Sequence, residues 1–349
     1  MNVLSLFDGM SCGQIALKRA GIKVYTYFAA EIDKYAIQIT KKNYSNTIHI
    51  GDVNNIDFDE YIGKIDLLLG GSPCTFWSIA KKNREINKDG EGWKLFIRYL
   101  DAFNIIKPKY FLYENVASMP NTIKEFISEE FGCQPIMINS ALVSAQERKR
   151  YYWTNIPGIQ QPEDKGIYLQ DVLESGFTDR IKSYCIDASY FKGGNLEQYF
   201  EKKRRQLVFE KPFRVGHFNS GGQGDRVYAI EGKSVTLAAN GGGRGAKTGL
   251  YLIPVQYDRK NKVGKELEKS ITLCASDWRG LNRNQKQNAV LNLEEMTIRK
   301  LTPLECERLQ TVPEGYTEGV SDTQRYKMLG NGWTVDVIAH ILSYIKIQK

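Results

Sequence analysis

Apolar residues fall into two kinds of block over the first 150 positions of this 349-residue chain. Val3–Phe7 (VLSLF), Val24–Glu31 (VYTYFAAE), Ile65–Leu69 (IDLLL) and Tyr110–Glu114 (YFLYE) are short, nearly continuous apolar runs, as expected of strands buried on both faces. Between them the spacing turns helical. A helix over Gly13–Ala20 stops at Gly21, and Asp33 caps another that runs to about Lys42. Leu95, Phe96, Tyr99, Phe103 and Ile106 mark one face of a third, which must stop near Pro108. Ile123, Phe126 and Ile127 line a fourth, ended by Gly132. Such alternation predicts an α/β fold with a doubly wound, mostly parallel sheet, whose ligands bind beyond the C-terminal strand ends.

After about Pro157 the pattern changes. Residues 157–295 are rich in glycine and basic residues, with a cluster at Lys202, Lys203, Arg204 and Arg205, and lack long helical periodicity. KSVTLAAN (Lys233–Asn240) before Arg244-Gly245 is echoed by KSITLCAS (Lys269–Ser276) before Arg279-Gly280. The repeat reads either as two similar hairpins or as paired basic loops facing a nucleic acid. Helices return from Thr297. Thr302, Pro303 and Glu305 supply an N-cap, an N1 proline and a capping-box glutamate. A further helix near Asp322–Leu329 ends at Gly330, and the last covers about Val335–Ile347. The expected organisation is a catalytic and cofactor-binding domain over 1–156, a smaller inserted domain over 157–295, and a segment over 296–349 that returns to the first.

Composition narrows the function classes. Lys and Arg number 48 against 40 Asp and Glu, a net charge of +8. The excess fits a polyanionic partner, although soluble proteins without one also carry it. The opening residues lack a basic stretch followed by a long apolar one, so no signal peptide is expected, and no apolar stretch approaches membrane-spanning length. The six cysteines are scattered without a C-x-x-C pair, so neither a disulfide framework nor a metal site is expected. The chain reads as cytoplasmic, with reduced thiols.

Chemistry gathers at the strand ends. Phe7-Asp8-Gly9 follows the first strand and opens a helix, where backbone N–H groups can meet a ligand, but it is neither a G-x-G-x-x-G nor a Walker loop. Glu31 closes the second strand, where a carboxylate can bind ribose hydroxyls, and Asp52 stands at the next edge, suited to an adenine amino group. Each acid alone could be a solvated loop residue; three at successive strand ends indicate a nucleoside-containing cofactor. Gly70-Gly71-Ser72-Pro73-Cys74 delivers a thiol onto a loop at a strand terminus. Free cysteines are usually buried filling, and this setting argues for a nucleophile that needs activation. Glu114 ends another strand and could supply or share a proton. Gln146, Arg148 and Arg150 alternate, so an extended segment would turn all three to one face.

These pieces resemble, in order, the motifs of the DNA (cytosine-5)-methyltransferases: FDG, the acidic strand ends, PC, ENV, Q-x-R-x-R, LTP-x-E-x-x-R-LQ (Leu301–Gln310) and GN (Gly330-Asn331). The likeness spans most of the chain and fades over 157–295, which would be the target-recognition domain. It implies S-adenosylmethionine as methyl donor, S-adenosylhomocysteine as product, and no metal. Phe7, Asp8, Gly9, Glu31, Ile32, Asp52, Val53, Pro73, Asn331 and Gly332 would bind the cofactor. Cys74 would attack C6 of a flipped cytosine in double-stranded DNA. Glu114 would contact N3 and the exocyclic amine, Arg150 would contact O2, and Arg148 would hold the active-site loops. Ser78, Asn115, Val116, Gln146, Arg244 and Arg279 would serve substrate binding. The resemblance further implies a monomer in a bacterial cell or phage-infected host.

Thr75-Phe76-Trp77-Ser78 departs from the usual Gln-Gly or Gln-Ala before Phe-Ser, and Gly330-Asn331-Gly332-Trp333 replaces the usual Gly-Asn-Ser or Gly-Asn-Ala. Lys81, Lys82 and Arg84 suggest that the thiol loop closes over a phosphate backbone. A tRNA cytosine-5 methyltransferase is a rival on the same fold; the long middle segment favours duplex DNA. A non-catalytic DNA-binding relative would be expected to lose Cys74, Glu114 or the arginines, and a nicotinamide oxidoreductase lacks its glycine fingerprint here.

Overall fold

A computed structural model describes residues 1–210 except 80 and 82, the backbone of five short strands within 214–266, and residues 298–345. The described chain divides into two compact units. The first comprises Met1–Val172, Ile181–Gln206 and Leu301–Lys349; the second comprises Leu173–Arg180 and Leu207–Lys300.

The first unit is built on a seven-stranded sheet. Its strands are β1 (Asn2–Leu6), β2 (Thr26–Ala30), β3 (Ile48–Gly51), β4 (Leu67–Gly70), β5 (Tyr110–Val116), β6 (Ile136–Asn139) and β7 (Lys149–Thr154). They lie in the order β3-β2-β1-β4-β5-β7-β6. The first five pair parallel, with Leu4 opposite both Phe28 and Leu68, whereas β7 runs antiparallel between β5 and β6. The expected sheet is therefore present, with an antiparallel edge. The strand order reverses between β1 and β4, the switch point at which such sheets open a crevice.

Helices α1 (Cys12–Arg19), α2 (Lys34–Asn43), α3 (Glu91–Ile106) and α4 (Asn121–Phe131) connect the strands. Asp33 caps α2 through Tyr35 N–H (2.9 Å) and Ala36 N–H (3.4 Å). Gly132, at φ 64°, closes α4 in the left-handed region that glycine tolerates. Between α3 and the sheet an aromatic cluster fills the core. Phe96 meets Tyr113 and Phe131 edge-on at 5.3 and 5.5 Å, and Tyr99 lies 4.9 Å from Tyr113. Each such pair contributes about 0.5–1.5 kcal/mol beyond its buried area. A Cβ on Gly70 would come within 2.8 Å of both the Tyr99 ring and the Leu6 carbonyl, so only glycine lets that ring lie on β4.

Two short helices follow, α5 (Leu169–Val172) and α6 (Leu196–Lys202). The second unit holds β8 (Leu207–Phe209), β9 (Arg214–His217), β10 (Arg226–Ala229), β11 (Leu250–Leu252), β12 (Val255–Asp258), β13 (Val263–Glu266) and β14 (Ile298–Lys300). They form a three-stranded sheet β11-β10-β9, a β12-β13 pair and a β14-β8 pair. The two similar segments at 233–240 and 269–276, with Arg244 and Arg279, lie outside the described residues, as does Lys82.

The C-terminal segment carries α7 (Pro303–Leu309), α8 (Asp322–Asn331) and α9 (Val335–Leu342). The capping box at Thr302 forms as expected: Glu305 N–H donates to Thr302 Oγ1 (3.1 Å) and Thr302 N–H to Glu305 Oε2 (2.8 Å). Two helix ends differ from expectation. Helix α8 runs through Gly330 and yields at Gly332. Gly330 serves close approach instead, because a Cβ there would lie 2.2–2.3 Å from the Asp187-Ala188 backbone. Helix α9 ends at Leu342 rather than Ile347; residues 346–349 lie outside the described set. No helix among the described residues is long and apolar enough to cross a membrane.

Candidate active site

A cavity of about 290 Å³ opens at the C-terminal ends of β1 to β5 in the first unit, near the lower end of ligand-pocket sizes. Phe7, Asp8, Gly9, Glu31, Ile32, Asp52, Val53, Pro73, Asn331 and Gly332, expected around a cofactor, all line it. So do Cys74, Glu114, Arg148 and Arg150. The topology thus gathers fourteen expected residues, drawn from seven places in the chain, on one cavity.

At one end, backbone and carboxylates form a tight knot. Gly9 N–H donates to Glu31 Oε2 (2.7 Å), and Ile32 and Asp33 N–H groups donate to Glu31 Oε1 (2.8 Å each). Glu31 thereby fixes the first loop against the end of β2. Asp8 points inward: its carboxylate accepts from Tyr27 OH (2.6 Å) and Ser11 Oγ. Burial pushes its pKa up to about 6 against the pull of those hydroxyls. Asp8 therefore braces the loop, a role its motif position does not reveal. Asp52 spends Oδ1 on Asn54 N–H (2.9 Å) and Nδ2 (3.0 Å). Arg98 of α3 holds the adjoining turn by donating to the carbonyls of Val53 and Ile56.

This end fits a nucleoside-containing cofactor. Phe7, Ile32, Val53 and Leu95 offer apolar walls beside the Glu31 and Asp52 carboxylates, and such acids suit sugar hydroxyls, an exocyclic amine and a sulfonium charge.

At the other end lies the thiol. Cys74 begins a short turn, and Ser78 N–H donates back to its carbonyl (3.0 Å). Beneath it, Ser72 Oγ and Tyr113 OH are 2.6 Å apart, and Asn115 Nδ2 donates to Ser72 O (3.2 Å). As a residue Cys74 is only half-buried. Its thiol is nevertheless enclosed enough for burial to push its pKa up, opposed by Arg150 and Arg148 and reinforced by Glu114. The expectation that this cysteine avoids burial holds for its backbone setting and not for its sulfur.

Arg150 Nε pairs with Glu114 Oε1 at 2.9 Å. Burial opposes the Arg150 charge, but Cys185, Glu114 and Cys74 together outweigh it, so the guanidinium pKa lies above its ordinary value. Arg148 acts as a brace, donating to the carbonyls of Gly330 (3.2 Å), Gly332 (2.9 Å) and Ile186 (3.1 Å). The alternation expected from Gln146 to Arg150 holds only in part. Strand β7 starts at Lys149, and Gln146 forms an isolated bridge with Ser183. Its fully buried side chain accepts from Ile186 N–H (2.8 Å) and donates weakly toward Leu309 O (3.4 Å), behind the cavity wall. Ser78, Asn115 and Val116 also lie off the cavity lining.

Further residues outside the expected site set also line the cavity, among them Cys12, Lys327 and Trp333. Cys12 lies under the first loop with its thiol pushed up to about 12 by burial. Exposed Lys327 stands at the rim, one helical turn before Asn331, a spacing that could have flagged it. Trp333 donates its indole N–H to Glu114 Oε2 (3.1 Å). Its only signal in sequence was its place two residues after the Gly330-Asn331 pair.

A Rossmann-like sheet with these acidic strand ends is the architecture of S-adenosylmethionine-dependent methyltransferases, among other nucleotide-binding folds, and comparison with known proteins selects that class. The family description "C-5 cytosine-specific DNA methylase" matches residues 1–347. The chain belongs to that family, whose members methylate cytosine with S-adenosylmethionine. It is 30% identical to the orphan methyltransferase M.SPRI of Bacillus phage SPR, over 98% of this chain and 96% of that one. It is 26% identical to the orphan methyltransferase M.Phi3TI of Bacillus phage phi3T, with the same coverage. Among solved structures, the Entamoeba histolytica methyltransferase EhMeth aligns with a TM-score of 0.57 at 16% identity, over 99% of this chain and 97% of that one. A variant of Spodoptera frugiperda DNMT2 aligns at 0.56 and 16%, over 98% of each chain. Those two likenesses concern the fold.

Proposed function

We propose that this protein methylates C5 of a flipped-out cytosine in a specific duplex DNA sequence through a covalent Cys74–C6 adduct. The observation that carries the reading is the meeting of Cys74, Glu114 and Arg150 on one cavity with the nucleoside-fitting strand ends. When bound, S-adenosylmethionine supplies an electrophilic methyl group on a sulfonium.

The chain's own residues perform the rest. Burial keeps the resting thiol protonated, and the Arg148 and Arg150 guanidinium groups favour the thiolate. The thiol gives its proton to water, the Cys74 thiolate forms a bond to C6, and the C5–C6 π pair moves to C5. Glu114 offsets the charge driven into the ring by sharing a proton at N3 and accepting from the exocyclic amine. Arg150 holds Glu114 and reaches O2. Once C5 carries the methyl, a base removes its proton, the double bond re-forms and the C6–sulfur bond breaks, returning the thiolate. Residues 157–295 would choose the sequence, with Arg244 and Arg279 on the DNA.

Bisulfite sequencing of DNA from cells expressing the protein tests this directly. Conversion-resistant cytosines confined to one sequence context are expected, and absent from cells expressing Cys74→Ser. A pattern identical to the vector control would refute the reading.

A further inference from the structure

We infer that Trp333 is a positioning residue for Glu114, acting through a hydrogen bond that links the cofactor side of the cavity to its base side. The inference rests on the methyl-transfer reading above and extends it.

Both carboxylate oxygens of Glu114 are held, and by different elements. Arg150 of β7 takes Oε1 at 2.9 Å, and the Trp333 indole N–H takes Oε2 at 3.1 Å. The carboxylate also rests on the thiol loop, since a Cβ at Gly71 would lie 3.1 Å from Oε2 and 2.7 Å from the Glu114 carbonyl. Trp333 is itself fixed. Its backbone N–H bonds the buried Cys12 thiol, and the preceding Gly332 carbonyl accepts from Arg148 (2.9 Å). The following Thr334 hydroxyl donates to Gln310 Oε1 (2.9 Å) and accepts from Ser140 Oγ (2.9 Å).

A carboxylate has about four lone-pair sites. With one on each oxygen taken by a fixed donor, the other two stay aimed at the exocyclic amine and at the proton that Glu114 shares with N3. Without the indole donor, Oε2 is free to turn toward Arg150 for a bidentate pair, the geometry that guanidinium and carboxylate prefer. Glu114 would then face its arginine instead of the base. Trp333 also belongs to the cavity wall formed with Asn331 and Gly332, so one residue joins that wall to the acid.

The test compares wild type with Trp333→Phe, which keeps an aromatic wall and removes the N–H. Titration calorimetry with S-adenosylhomocysteine reads the wall. Turnover on duplex substrate, and release of tritium from 5-tritiated target cytosine in the presence of S-adenosylhomocysteine, read the action of Glu114. Expected are cofactor affinity within about threefold of wild type and at least a tenfold fall in both rates, the scale of losing one hydrogen bond to a charged group. In a Glu114→Gln background the same change should cost less than about twofold, because the partner is already altered. Lost affinity with unchanged rates, or multiplying losses in the double variant, would overturn the assignment.

A second measurement reads the contact directly. In protein carrying 15N-labelled tryptophan, five indole signals are available. The Trp333 N–H signal, identified by its loss in Trp333→Phe, should move in Glu114→Gln; an unmoved signal would refute the contact. Wild type that neither methylates nor releases tritium would instead defeat the underlying reading.

Discussion

Arg150 Nε lies 2.9 Å from Glu114 Oε1, across the antiparallel pairing of β5 and β7, with only 11% and 12% of the two side chains exposed. An ion pair this enclosed is strong only while both partners remain, because each charge has given up most of its water. Arg150→Met should therefore lower unfolding stability by about 3 kcal/mol, and Arg150→Met/Glu114→Gln should recover part of that loss. Urea denaturation of Arg150→Met, Glu114→Gln and the double variant checks it; losses that simply add in the double variant would show that the pair is not coupled.

Glu114→Gln keeps the shape of the side chain and removes its charge and proton-sharing capacity. Turnover should fall by about 100-fold or more, while cofactor affinity changes by less than about threefold, because the lost interaction strengthens as charge enters the ring. Steady-state kinetics beside calorimetry separates the two. Parallel losses would indicate a structural role.

Cys74 should be trapped by DNA carrying 5-fluorocytosine at the target position. Methyl transfer can proceed there, but fluorine cannot leave as a cation, so the C6–sulfur bond persists. A denaturant-resistant protein–DNA band that requires S-adenosylmethionine is expected, and none with Cys74→Ser, since a serine hydroxyl is a far poorer nucleophile near neutral pH. Equal trapping by the serine variant would move the nucleophile elsewhere.

Asp8 predicts an unusual pH dependence. Its folded pKa is raised to about 6 from 3.8, so between those values the folded state holds a proton that the unfolded state has released. Stability from this group is fully present below the unfolded pKa and declines as pH rises through about 6, by on the order of 2 kcal/mol. Asp8→Asn keeps an acceptor for Tyr27 and Ser11 and should flatten the fall in melting temperature between pH 4 and pH 7, in ~0.1 M salt buffers. An identical slope in the variant would assign the dependence to other groups.

Sequence choice should travel with the second unit. Exchanging residues 207–300 for those of a relative with another target should move methylation to the relative's site and preserve turnover. Exchanging 157–295 should change the site only at a cost in turnover, because Ile186 supplies its N–H to Gln146 and its carbonyl to Arg148. Active chimeras that still mark the original sequence would contradict the assignment.

Much was legible in the chain because it depended on local chemistry. Apolar runs marked β1, β2, β4 and β5, Asp33 and the Thr302 box fixed helix starts, and motif order singled out the acids, the thiol and the arginines that line one cavity. Those features follow from backbone propensity and from residues a few positions apart. Tertiary structure alone decided the rest. β7 enters antiparallel between β5 and β6 and so delivers Arg150 to Glu114. Asp8 turns away to Tyr27, and Gln146 sinks behind the wall toward Ile186. Trp333, 219 residues from Glu114, becomes its donor. Direction, burial and pairing across such separations depend on how layers pack and which polar groups must find partners once water is excluded, and no local pattern carries that information.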